Sequence, residues 1–218
     1  MLESLFNPDN PLMRTINKII DLFVLSVVWA LCSLPIITIS ASCASLYYSV
    51  VKAVRRDRSH AVREFWHAFK SNLKRGIPAE LIWLIFAFMM LVGDFPLVST
   101  FLDTGKIQNT VMLILFAVKA LILLGIACWF CPLMSRYDER IWTLLKASLS
   151  MLVRHPFISL LTIALVLIVV ILLAMEPLLS AVIPGFAMFL LSLLQEPALQ
   201  DICEKPADDN NTDTWYLE

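Results

Sequence analysis

Few side chains in this sequence could do chemistry, because few polar groups lie within its apolar runs. Lys119 is the only charge placed near the middle of one; Asp21, Glu80, Asp94 and Glu176 each lie within a turn or two of a run's end. Charges inside a hydrocarbon layer are expensive and usually mark a substrate path, a proton relay or a structural pair. Lys119 is positioned to pair with Asp94 across neighbouring segments, or with Asp21. A relay needs several such groups in line, so a structural pair or snorkelling is the favoured reading.

The other reactive residues give less. Cys128 and Cys131 form a CxxC, but it has no second CxxC and no His at ligand spacing, so these thiols read as small buried side chains. With Cys32, Cys43 and Cys203 the cysteine count is odd, which argues against an exported disulfide framework. His60, His67 and His155 have no carboxylate or thiol at metal-binding spacing. The five glycines do not cluster into a phosphate-binding loop, and no Ser, His and Asp grouping stands out. The sequence therefore implies no enzyme, no metal and no cofactor.

The elements that hold these residues read as membrane helices. Of 218 residues, 59% are hydrophobic and only 16% charged, well below the charged share of soluble domains. Mean hydropathy is +0.79. A net charge of −1 offers no electrostatic case for nucleic acid. The reading is an all-α, polytopic membrane bundle over residues 1–197, followed by an acidic, disordered cytoplasmic tail over 198–218 that is too polar to order itself.

Apolar runs over 16–34, 36–54, 77–97, 110–134, 157–175 and 178–194 predict six membrane segments, or five if the first two form one crossing bent at Pro35. A cleaved signal peptide fits poorly, since the first run is too long and basic residues follow closely. Between Lys52 and Arg75 stand eight Lys and Arg against Asp57 and Glu64; of the seventeen cations, only Lys106 and Lys119 fall outside the basic loops and termini. Basic loops stay in the cytoplasm, so a multi-pass protein of the cell membrane with both termini cytoplasmic is expected.

Two loop segments carry interaction signals. Over residues 60–74, Val62, Phe65, Trp66, Phe69 and Leu73 share one helical face, with Lys70 elsewhere, predicting an amphipathic helix in the cytoplasmic interface. A second predicted helix includes residues 141–149 and aligns with 65–73 at an offset of 76, matching Trp142 to Trp66 and Lys146 to Lys70. An internal repeat, or shared interfacial selection alone, accounts for this. Such helices anchor on membrane lipid or dock a partner. Pro35 and the small residues Ser40 and Ser42, together with Tyr47 and Tyr48, add a face suited to close helix contact.

Several blocks resemble the YesL family, bacterial integral membrane proteins carrying domain of unknown function 624. They are Asn7-Pro8 with Met13-Arg14, LCSLPIITI over 31–39 with Ala41-Ser42 and Leu46-Tyr47-Tyr48, Phe65 with FKSNLK over 69–74, and PLMSRY over 132–137. Ser40 stands where the family often has Gly. The resemblance implies a genomic setting beside carbohydrate import systems. It therefore implies an accessory subunit or assembly factor, bound to the membrane subunits of a sugar importer of the ATP-binding-cassette type or to itself. The alternative is a small stand-alone transporter using Lys119 and Asp94.

Overall fold

The computed structural model describes residues 11–56, 60–104 and 107–200, with side chains for all but 11–12, 94–104, 107–110, 112 and 177–178. Among these residues are seven α-helices and no strand: α1 Pro11–Cys32, α2 Ile39–Ser49, α3 Ala61–Thr104, α4 Ile107–Arg136, α5 Ile141–Arg154, α6 Pro156–Met175 and α7 Ile183–Gln200. Five segments are long and apolar enough to cross a membrane: Met13–Cys32, Ile36–Arg55, Ala61–Gly93, Leu113–Arg136 and Pro156–Met175. The chain is a helical membrane bundle.

Pro35 separates the first two segments. It begins a short 3-10 turn, Ile36–Thr38, and the Thr38 hydroxyl lies 2.7 Å from both the Cys32 and Pro35 carbonyl oxygens, closing the corner. Residues 36–55 then form one continuous helical segment, its last turn widened to π geometry over Val50–Arg55. This segment is the axis of the bundle. In its most apolar window 61% of residues are buried, against 17% in each of the other four.

The composition of α2 explains its place. Ser45 and Ser49 turn their hydroxyls back onto the carbonyls of Ala41 and Ser45, at 2.6 and 2.8 Å, so a serine-rich helix can be buried with those donors satisfied. Its bulkier residues pack to two sides. Tyr47 and Val51 join Trp129, Phe130 and Met134 of α4 and Leu199 of α7, while Leu46, Val50 and Val54 join Leu22 and Leu25 of α1 and Phe65 of α3.

Two expectations change here. The basic stretch 60–74 is not a separate interfacial helix: α3 runs unbroken for 44 residues, about 66 Å at about 1.5 Å per residue. That is roughly twice the hydrocarbon thickness. Its buried stripe is also rotated from the aromatic face expected. Ala61, Phe65, Ala68, Asn72 and Ala79 turn inward, while Trp66 stays 44% exposed. At Gly76 the stripe has no side chain because α2 approaches too closely for one there. At the chain's end, α7 starts later than the expected 178–194 segment and is not among the five crossing candidates. It passes the expected boundary at 197, burying Ala198 and Leu199. The acidic stretch 201–218 lies outside the described residues.

The α2–α3 contact depends on Gly76. A Cβ there would lie 2.6 Å from the Cβ of Ala41 and 3.0 Å from its backbone Cα and N, whereas one at Gly93 would meet nothing within 4 Å. Gly76→Ala is expected to lower stability by about 1–3 kcal/mol through overpacking. Gly93→Ala should leave it unchanged or raise it by about 0.5–1 kcal/mol, since Ala favours a helix interior. Thermal unfolding in mild detergent distinguishes the two; equal effects would contradict the tight contact.

Candidate functional site

The buried polar groups gather where α2, α3, α4 and α7 converge. Arg136, near the end of α4, has a fully buried side chain that forms an ion pair with Glu196 of α7, itself 3% exposed. The Tyr47 hydroxyl of α2 donates to the same Glu196 oxygen, Oε1, at 2.8 Å. One turn of α7 carries a second polar link, as Gln195 Nε2 donates to the Cys128 carbonyl of α4 at 3.1 Å. Arg55, where α2's helical segment ends, donates to the Ser192 carbonyl at 2.9 Å. Together these bonds tie α7 to α2 and α4 through its interior face.

Glu80 of α3 is a second buried carboxylate, 7% exposed. Its Oε2 accepts from the Ser40 backbone N–H at 3.0 Å and from the Ser40 hydroxyl. Ser40 is near the start of α2, where backbone N–H groups lack partners inside the helix, so an acceptor from α3 meets an existing need. The sequence reading leaves both glutamates at segment ends, Glu80 near the start of 77–97 and Glu196 just past 178–194.

Beside Glu80 and Gln195 opens a cavity of about 590 Å³, within the range typical of small-molecule sites. Ser40, Cys43, Tyr47 and Glu80 line one part of it, and Leu91, Phe116, Leu123 and Val166 line another. Cys43, Cys128 and Cys131 line it as free thiols. No group of three His, Cys, Asp or Glu among the described residues is placed to hold a metal ion.

The expected interaction residues divide into two sets. Ser40, Ser42, Tyr47 and Phe65 are buried in the bundle, where their small-residue and aromatic faces make contacts within the chain. Pro35, Trp66, Lys70, Trp142 and Lys146 are exposed, and Phe69 is half-buried, stacked on Phe65 at 6.0 Å. Tyr48 is half-buried, with its hydroxyl 2.9 Å from Lys52 Nζ, which also pairs with Glu64 at 2.9 Å. A recess of about 360 Å³, lined by Lys52, Arg63, Glu64 and His67, lies there.

The 76-residue offset persists in three dimensions. Ala68 and Leu144 are buried, as are Asn72 and Ser148, while Trp66 and Trp142, and Lys70 and Lys146, face outward. The intramembrane pair fares differently. Lys119 is exposed on α4 and does not line the cavity, Asp21 is half-buried on α1, and the Asp94 side chain lies outside those described. Sequence reasoning names Glu80 only as a charge near a run's end and passes over Arg136, Gln195 and Glu196 as site residues. The usable signal is position, since Arg136, Gln195 and Glu196 follow closely on apolar runs and Glu80 lies inside one.

Arg136→Met leaves a buried carboxylate without its cation and is expected to cost about 3–5 kcal/mol. Replacing both partners, Arg136→Met with Glu196→Leu, should recover most of that loss. Thermal unfolding of the two variants measures it; a double variant no better than the single would show that the pair is not the source.

The family model described as a protein of unknown function, DUF624, matches residues 22–95, a stretch that contains α2, Ser40 and Glu80. No curated protein and no solved structure matches the chain.

Proposed function

With residues 22–95 a DUF624 domain, the domain of the YesL family of membrane proteins, we propose a non-catalytic accessory subunit or assembly factor for a carbohydrate importer of the ATP-binding-cassette type. It sits in the cell membrane with both termini cytoplasmic, the side on which its Lys and Arg concentrate. The observation that carries this reading is the outward pair of matched surfaces, Trp66 with Lys70 and Trp142 with Lys146. Trp66 and Trp142 remain 44% and 67% exposed, while the residues that turn inward beside them are packed. Exposed tryptophan beside a cation is the composition of an interface anchor. The recess at Lys52, Arg63, Glu64 and His67 adds charged groups to the same end of α3. The partner is the importer's membrane subunits, contacted on their cytoplasmic side.

The rival reading, a small stand-alone transporter, draws its support from the cavity at Glu80 and no longer from Lys119, which lies outside the cavity lining. For such a carrier Glu80→Gln, and not Lys119→Ala, would abolish uptake in reconstituted vesicles.

A photo-cross-linking residue at position 66 or 142, activated in native membranes, is expected to capture importer membrane subunits. Trp66→Ala combined with Lys70→Glu should reduce their co-purification by about tenfold or more, the scale of one interface anchor, while leaving thermal unfolding unchanged. Capture of lipid alone, or of a second copy of this chain alone, would remove the importer from the proposal.

A further inference from the structure

The cavity has chemically distinct parts. Glu80, Ser40 and Gln195 give it polar walls, and Leu91, Phe116 and Val166 give it apolar ones. From Glu80 to Leu91 the α3 wall extends about 16 Å at about 1.5 Å per residue. Such a space is a shaft with one charged wall.

The two carboxylates of the bundle are held differently. Glu196 has a guanidinium and a phenol hydroxyl. Glu80 has only Ser40, both of whose donors reach Oε2, so Oε1 is the acceptor left toward the cavity. Among the described residues no cation pairs with it. A carboxylate in low dielectric calls for a proton or a cation. The apolar shaft raises a separate demand, since Leu91, Phe116 and Val166 favour an alkyl chain over water as their neighbour. A proton answers the first demand and leaves the second. One molecule with a cationic head and a single alkyl chain answers both.

We infer that this cavity binds a single-chain cationic amphiphile drawn from the membrane, its ammonium on Glu80 Oε1 and its chain along the shaft. Glu80 sets the charge preference, and the shaft sets the chain. Ala120, a small residue in the wall, keeps the space open. The site is separate from the proposed docking surfaces, so the importer assignment and this inference stand or fall independently.

The test uses the full chain in zwitterionic phosphatidylcholine nanodiscs, loaded with dodecylamine or dodecanoic acid, and counts retained ligand by native mass spectrometry. The wild type is expected to retain dodecylamine at least about tenfold more tightly than dodecanoic acid, about 1.4 kcal/mol. Glu80→Gln keeps an acceptor for Ser40 and should abolish that preference. Ala120→Trp, which fills the shaft, should remove retention of both probes, and Leu91→Trp serves if the first variant does not fold. Equal retention of amine and acid by the wild type would overturn the inference. So would an amine preference that survives Glu80→Gln, or retention undiminished in a folded shaft variant.

Discussion

The bundle depends on one close approach, that of Gly76 on α3 to Ala41 on α2. Lipid chains are as apolar as leucine, so helices in a bilayer gain little by hiding leucine from solvent and must associate through close packing and hydrogen bonds. A serine- and alanine-rich helix is the natural partner for such packing. Once α2 sits against α3 at this distance, Ser40 falls within reach of Glu80, and Ser45 and Ser49 have no room to bond outward. Gly185 repeats the device on the other side, where its backbone lies against the Leu22 carbonyl and its N–H donates to Ser26 Oγ at 2.8 Å. A serine on α1 thereby caps the start of α7.

The buried ions act on this frame rather than create it. Desolvating a guanidinium and a carboxylate offsets most of what their attraction returns. The Arg136 Nε atom has no hydrogen-bond partner even so. What the pair supplies is position. Glu196 can satisfy Arg136 and Tyr47 together only when α7 presents one particular face to α2 and α4, and Gln195 and Ser192 confirm that face through bonds to backbone groups and from Arg55. A helix of modest hydropathy is thereby fixed in register by bonds that any sliding would break.

How much of this could be read from residues alone follows from what periodicity records. The membrane class, the break at Pro35 and the helical segments were legible, because apolar length and proline are local signals. The α3 stripe was not. Phe65, Trp66 and Phe69 advertise a hydrophobic face, yet the partner helix selects Ala61, Ala68 and Gly76, and smallness has meaning only once the neighbour is known. Continuity of α3 through Gly76 and Pro78 was hidden for the same reason, since both residues usually end helices and here one of them makes the contact. Glu196 was not legible as an anchor of the interior because its partners lie 60 and 149 positions away.

Burial alone does not say what a membrane carboxylate is for; its partners do. Glu196 has its charge matched by the Arg136 guanidinium and its Oε1 shared with the Tyr47 hydroxyl. Glu80 is bonded on Oε2 by Ser40, pairs with no cation among the described residues and lines the cavity. Removing the Arg136 pair would loosen the frame, whereas replacing Glu80 by an uncharged isostere would leave the Ser40 bonds and the Gly76 contact in place. The carboxyl charge at position 80, unlike the Arg136–Glu196 pair, is thus not required by the contacts that hold the helices together.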